Sequence, residues 1–196
     1  MKIIGICGRS GSGKSTVSSI LRNRGLPVLD CDQIYHELVN TPSECLNAIA
    51  DHFGNNFICN NKLNRDALRT LVFQSPQKLY ELNKSTHPFI LEELKRRLDA
   101  LASDSCQIAI IDAPLFFEAG LDCWCDLVCA VVSDENLELE RICKRDQISI
   151  EQAKLRISKQ FSVGFLKEKS DFIIENNGNL QELELSCDKL IQTALK

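Results

Sequence analysis

Apolar residues along this chain fall into two kinds of run, and the contrast predicts the architecture. Four segments are apolar almost without interruption: Lys2-Ile3-Ile4-Gly5-Ile6-Cys7, Ile108-Ala109-Ile110-Ile111, Leu127-Val128-Cys129-Ala130-Val131-Val132 and Phe172-Ile173-Ile174. A shorter one, Val28-Leu29, follows the breaker Gly25-Leu26-Pro27. Continuous rather than alternating strands belong to a parallel sheet covered by helices on both faces. Elsewhere the apolar positions recur at helical spacing. Leu46, Ile49, Ala50 and Phe53 share one face, and Leu91, Leu94, Leu98 and Leu101 another. From Gln33 to Ser105 there is no obvious buried strand. Pro42, Gly54-Asn55-Asn56, Asn60-Asn61, Pro76 and Pro88 punctuate that stretch into helical pieces. There is no internal repeat and no low-complexity segment.

The first strand runs into Gly8-Arg9-Ser10-Gly11-Ser12-Gly13-Lys14-Ser15-Thr16, which fits the phosphate-loop pattern G-x-x-x-x-G-K-[ST] at every fixed position. The residues after it, through Asn23, can form a helix. Glycines let successive N–H groups turn inward around a phosphate, and the helix N-terminus adds positive partial charge. Lys14 would reach the β- and γ-phosphates, and the Ser15 hydroxyl would sit on Mg²⁺. A chance Gly/Ser turn would not bring strand and helix into register on either side. The chain is therefore read as binding a nucleoside triphosphate.

At 196 residues the chain suits one α/β core with small appended segments. A net charge of −4 gives no global sign of a nucleic-acid or membrane-surface protein. No apolar run approaches the ~20 residues of a membrane span. The N-terminus goes directly into strand and loop, which leaves no room for a signal peptide. The ten cysteines are scattered, many in apolar segments such as those around Cys7, Cys59, Cys106, Cys129 and Cys143. The cluster Cys123-x-Cys125-x-x-x-Cys129 lacks the paired spacing or nearby His of a zinc site. Reduced, buried thiols and a cytoplasmic location are expected, with no nucleic-acid or membrane partner and a monomer or weak homo-oligomer.

Charge is uneven, however. From Arg141 to Lys169 eight basic residues stand against three acidic ones, in a segment helical by pattern with a capping box Ser149-x-x-Gln152. Such a run is ordinarily a solvated helix face. Beside a phosphate loop, a basic helix pair also suits closure over polyphosphate.

A regulatory GTPase would carry [NT]-K-x-D and D-x-x-G. The Asn83-Lys84 pair runs into Ser85-Thr86, and Asp112 runs into Ala113-Pro114-Leu115, so neither motif is met. Motor and transporter ATPases are larger. A small nucleotide-dependent kinase remains. Transfer to a hydroxyl needs a carboxylate near the acceptor proton, at the carboxyl ends of the strands. Asp30-Cys31-Asp32 and Asp112 stand there, although a single strand-end Asp is often only a helix cap.

The ordered set of motifs resembles the dephospho-coenzyme A kinases over nearly the whole chain. It comprises the phosphate loop; Asp30-Cys31-Asp32; Phe53-Gly54 with Leu63-Asn64-Arg65 and Leu68; and His87-Pro88. Asp112-Ala113-Pro114-Leu115-Phe116-Phe117-Glu118, Arg141-x-x-x-Arg145-Asp146, Arg156-Ile157-x-x-Gln160 and Asp171-Phe172-Ile173-Ile174-x-Asn176-x-Gly178 complete it. Only the loop is specific by itself; the collinear set is what carries the resemblance.

The resemblance implies a five-stranded parallel sheet flanked by helices, the P-loop kinase fold. The core would be about 1–32, 106–134 and 168–196, with a helical acceptor-binding insertion at about 33–105 and a helical lid at about 135–167. It implies ATP as donor with Mg²⁺, and dephospho-CoA as the substrate phosphorylated on its ribose 3′-hydroxyl. Gly8, Gly11, Ser12, Gly13, Lys14, Ser15 and Thr16 would bind the nucleotide, with Asn176 near adenine. Asp32 would be the catalytic base and Asp30 a supporting acid. Arg65 and His87 would lie on the acceptor side, and Asp112 near both Mg²⁺ and the acceptor. Arg141 and Arg145 would be lid arginines on phosphate.

Two departures stand out. The family commonly has Gly-Gly-Ile-Gly-Ser-Gly-Lys-Ser, where this chain has Arg9 and Ser10 at the variable positions; a bulky cation there would alter loop packing or touch the acceptor. Cys31 replaces the usual Ala. Another small-metabolite or nucleoside kinase on the same core, or a nucleotide-binding regulator without transfer, are the competing readings.

Overall fold

The computed structural model describes residues 1–73 and 75–196. The order is β1 (Lys2–Cys7), α1 (Lys14–Asn23), β2 (Val28–Asp30), α2 (Cys31–Asn40) and α3 (Glu44–Phe53). Next come β3 (Ile58–Cys59), β4 (Lys62–Leu63), α4 (Arg65–Phe73), α5 (Pro76–Ser103), β5 (Ile108–Asp112) and β6 (Leu127–Val132). The chain ends with α6 (Glu135–Asp146), α7 (Ile150–Ile157), α8 (Val163–Glu168), β7 (Phe172–Glu175) and α9 (Leu180–Ala194).

The chain divides into two compact units, residues 1–28 with 104–196, and residues 29–103. In the first, the expected parallel sheet has the order β2-β5-β1-β6-β7. β1 pairs in parallel with β5 (Ile4 opposite Ile110) and with β6 (Ile6 opposite Cys129), and β6 pairs in parallel with β7. The uninterrupted apolar runs follow from this placement: β5 is buried at all five positions. Ile4, Ile6, Ile110 and Val131 pack with Val17 and Leu21 of α1 and with Leu183 and Leu190 of α9. With β1 central, the chain leaves its carboxyl end toward one edge and later crosses to the other. That puts the phosphate loop at the topological switch, where open α/β sheets bind ligands.

The basic stretch forms α6, α7 and α8, with α6 and α7 joined through Leu139, Ile142, Ala153 and Ile157. The Ser149/Gln152 capping box is present.

The second unit is mostly helical, as the punctuation predicts, with two corrections. A small antiparallel hairpin, β3–β4, turns through Asn60 and Asn61, both at positive φ. Two-residue strands carry too little pattern to be read in advance. Secondly, Pro88 does not break the chain: it lies inside the 28-residue α5. The turn before it is supplied with side-chain donors, because Ser85 Oγ and Thr86 Oγ1 both donate to the Leu82 carbonyl. Lys84, whose carbonyl loses its usual donor at Pro88, is solvent-exposed. Of the first predicted apolar face, Leu46 and Ile49 are buried in a core with Leu68 and Val72, and Phe53 packs against it; of the second, Leu94 and Leu98 are buried.

The ten cysteines are free. Five are buried as expected, while Cys59 and Cys123 are exposed. Both lie at the margins of short elements, where an apolar neighbourhood in sequence does not secure burial.

Candidate functional site

The loop between β1 and α1 is held by side chains from elsewhere in the first unit. Gly13 caps α1 in the left-handed region (φ 95°), and a Cβ there would run into the Asn176 amide. The Asn176 amide Nδ2 donates to the Ser12 carbonyl at 2.7 Å. Arg141 donates from Nη1 to the Gly11 carbonyl (3.2 Å) and Ser133 Oγ (3.0 Å), and from Nη2 to the Asn176 carbonyl (3.0 Å). Gln160 Oε1 accepts from the Ser10 N–H at 3.0 Å. These contacts use loop carbonyls and one outer amide. Lys14 and the hydroxyls of Ser15 and Thr16 remain at the start of α1, where the helix end favours an anion.

Lys14 Nζ pairs with Asp112 Oδ1 at the carboxyl end of β5, and Asp112 Oδ2 accepts from Ser18 Oγ at 2.5 Å. Asp112 is only 4% exposed, so the carboxylate depends on these charge-assisted contacts. Lys14 is therefore held toward the carboxyl end of β5 by Asp112.

Arg9, at one of the variable positions, packs inward. Its Nε donates to Glu138 Oε2 of α6 at 2.9 Å, and its Nη2 bonds the same oxygen. Arg9 thus enters loop packing, one of the two outcomes expected of a bulky cation there. Glu138 is fully buried, and burial raises its carboxyl above the ordinary range against the opposing pull of Arg9.

Arg145 forks onto Asp146 through Nε (2.8 Å) and Nη2 (2.9 Å), and Arg156 bonds the same carboxylate. The Arg145 hydrogen bonds hold Asp146 down at about 2. Arg145 and Arg156 remain largely exposed, so this is a solvent-facing cationic cluster.

In the second unit, Asp30 caps α2: its Oδ1 accepts from the N–H groups of Asp32 (2.9 Å) and Gln33 (3.1 Å). That capping places the Asp32 carboxylate, exposed, in the first turn of α2. A cavity of about 680 Å³ is lined by Asp32, Gln33, Tyr35, His36, Glu37 and Arg65. Arg65 Nη1 meets His36 Nε2, and His36 Nδ1 faces Asn40 Nδ2 at 2.6 Å. Burial pushes the Tyr35 hydroxyl up to about 12. His87 is half-buried in the middle of α5 and does not line that cavity.

The sequence-derived candidates thus gather as two groups. Gly8 to Thr16, Asp112, Arg141 and Asn176 come together in the first unit, with Arg145 further along α6. Asp32 and Arg65 come together in the second. Sequence reasoning missed Glu138, Ser133 and His36, and quoted Gln160 without a role. For Glu138 a faint signal exists: it lies three residues before Arg141, on the same helix face.

The family model for CoaE, Dephospho-CoA kinase, matches residues 2–182. A Dephospho-CoA kinase of Syntrophotalea carbinolica is 36% identical over 183 residues, 93% of this chain and 87% of that protein. One from Lactobacillus acidophilus is 32% identical over 192 residues, 96% of this chain and 95% of that protein. The solved Dephospho-CoA kinase from Campylobacter jejuni superposes with a TM-score of 0.73 at 28% identity, covering 98% of this chain and 96% of that one.

Proposed function

This chain belongs to the dephospho-CoA kinase family, and on that premise we propose that it transfers the γ-phosphoryl group of ATP to the ribose 3′-hydroxyl of dephospho-CoA, giving coenzyme A and ADP. The observation that carries this reading is the family match over residues 2–182, which takes in both the phosphate loop and the Asp32–Arg65 cavity.

In this reading the loop from Gly8 to Thr16 cradles the triphosphate through its backbone N–H groups. Lys14 turns from Asp112 to the β- and γ-phosphates. Asn176 and Arg141 brace the loop, Asn176 borders the adenine, and Arg141 and Arg145 add positive charge toward phosphate as the basic helices close and exclude water. Asp32 accepts the 3′-hydroxyl proton while that oxygen attacks phosphorus in line and the β–γ bridging bond breaks toward ADP. Arg65 and His87 serve the acceptor side.

Ser15, exposed in the first turn of α1, and Asp112 are hard oxygen donors. That set fits Mg²⁺ carried in largely by phosphate and water. The ion, when bound, neutralises charge on the β- and γ-phosphates. No helix among the described residues is long and apolar enough to cross a membrane; the proposed setting is the cytoplasm, with the enzyme a monomer or weak homo-oligomer.

The test is a turnover assay with ATP and Mg²⁺ over a panel of acceptors: dephospho-CoA, free nucleosides and sugar acids. Dephospho-CoA should be used at least ~10³-fold better by kcat/KM, a discrimination of the size that polar site contacts can deliver. Phosphorus NMR of the product should find a 3′-phosphate. Better use of another acceptor, or nucleotide binding without transfer, would overturn the reading.

A further inference from the structure

Four consecutive residues of the phosphate loop are tied down from outside: Arg9 by Glu138, the Ser10 amide by Gln160, the Gly11 carbonyl by Arg141 and the Ser12 carbonyl by Asn176. Three of these ties are single hydrogen bonds at neutral backbone groups: the Ser10 N–H donates, and the Gly11 and Ser12 carbonyls accept. The Arg9 tie is a buried ion pair, with the Arg9 side chain 9% exposed and that of Glu138 0% exposed. Glu135 Oε2 stands farther off, 3.6 Å from Arg9 Nη2, and is itself largely exposed.

The pair is also one-sided. Both Arg9 contacts fall on Glu138 Oε2, while Glu138 Oε1 is buried and finds no partner among the described residues. A carboxylate buried in this way is tolerated because the guanidinium is there, and the guanidinium because of the carboxylate. The backbone confirms how close the two segments lie. Gly11 is at φ 81°, and a Cβ on it would collide with the Glu138 backbone. Arg141, which grips Gly11, rides on the same helix one turn later.

We propose that Arg9 and Glu138 act as a positioning pair for nucleotide binding, in which the α6 carboxylate neutralises and seats Arg9 so that the loop keeps its phosphate-accepting shape. With Glu138 gone, a buried cation beside the loop must find another anion, and the loop distorts as Arg9 swings out. With both charges gone, nothing is left unpaired. The pair therefore makes ATP affinity depend on α6, a helix that contributes Arg141 and Arg145. The inference rests on the kinase reading only in taking ATP as the loop's ligand.

Acid should have the same effect as removing the carboxylate. The charged groups facing Glu138 are Arg9 from the loop and Glu135 and Arg141 from its own helix. Protonating Glu138 leaves Arg9 with the distant Glu135 alone, so ATP affinity falls as pH is lowered.

The experiment is calorimetric titration of ATP with Mg²⁺ into the full chain without any acceptor, for Glu138→Leu, Arg9→Met and the Arg9→Met/Glu138→Leu double variant. Thermal melting is recorded alongside. Glu138→Leu should weaken ATP by roughly 10- to 100-fold, and the double variant should recover to within about 5-fold of the unaltered chain, the pattern of a coupled buried pair. The acid-side weakening should be smaller in the double variant, where only the protonation of the nucleotide's own terminal phosphate remains. No rescue in the double variant, or an acid limb as steep in it as in the unaltered chain, overturns the proposal. So does a drop in melting temperature with unchanged ATP affinity. Because no acceptor is present, failure here is separate from failure of dephospho-CoA as substrate.

Discussion

Asn176 and Ser12, 164 residues apart in sequence, are joined by the Asn176 side-chain amide donating to the Ser12 carbonyl at 2.7 Å. The residue that follows β7 therefore braces the phosphate loop from behind, and it does so at the spot where Gly13 has no side chain. Asn176→Ala should weaken ATP binding by about 5- to 10-fold, the worth of one hydrogen bond of about 1 kcal/mol. Gly13→Ala should do far more damage, since it adds both a collision with the same amide and a left-handed Ala. A titration of ATP into both variants checks the order.

Asp32 stands in the first turn of α2 because Asp30 caps that helix, so the two carboxylates should behave differently when neutralised. Asp32→Asn should lower kcat at least ~10²-fold while leaving the affinity for ATP unchanged, as loss of a general base does. Asp30→Ala should mainly cost stability, about 1 kcal/mol for a lost N-cap. Near-normal turnover in Asp32→Asn would remove it as base.

Asp146 carries a pH signature. Its native value of about 2 lies below the ordinary 3.8, chiefly through Arg145. A carboxyl depressed in the folded state lends stability that is fully present above its unfolded value and is lost as pH falls from about 4 to about 2. Asp146→Asn should therefore melt roughly 2–4 °C lower at neutral pH, for a partly exposed ion pair of up to about 1 kcal/mol. The gap should close by pH 2. A gap that stays constant down to that pH would contradict the assignment.

Thiol chemistry should sort by burial. Cys59 and Cys123 are exposed, whereas Cys7, Cys45, Cys129 and Cys187 are buried, and burial pushes the Cys7 thiol up to about 11. Brief alkylation at neutral pH should label Cys59 and Cys123 and leave Cys7 intact, since the thiolate is the reacting form. Unfolding in denaturant should expose all ten. Peptide mapping by mass spectrometry reads both results.

Much of the fold was legible in the sequence because the central strands β1, β5 and β6 are buried along nearly their whole length and so are written as unbroken apolar runs. Pro88 shows the limit. Proline ordinarily ends a helix, but α5 continues through Pro88, whose missing donor leaves the carbonyl of the solvent-exposed Lys84 open to water. The β3–β4 hairpin shows another, because two-residue strands are held by pairing across the turn and leave almost no periodic trace.

The site divides the same way. The local sequence determined the phosphate loop, the capped turn that presents Asp32, and the strand-end Asp112, because each depends on residues within a few positions of one another. Only the tertiary structure decided what holds that loop: Arg141 on Gly11, Asn176 on Ser12, Gln160 on Ser10 and Glu138 on Arg9. Those partners lie more than a hundred residues away, brought in by the β1–β6–β7 side of the sheet, and no spacing rule within the sequence connects them. Arg9 is the clearest case. As a residue it is a cation at a variable position; in the fold it is half of a buried pair, because Glu138 is the carboxylate that the sheet's topology sets against it.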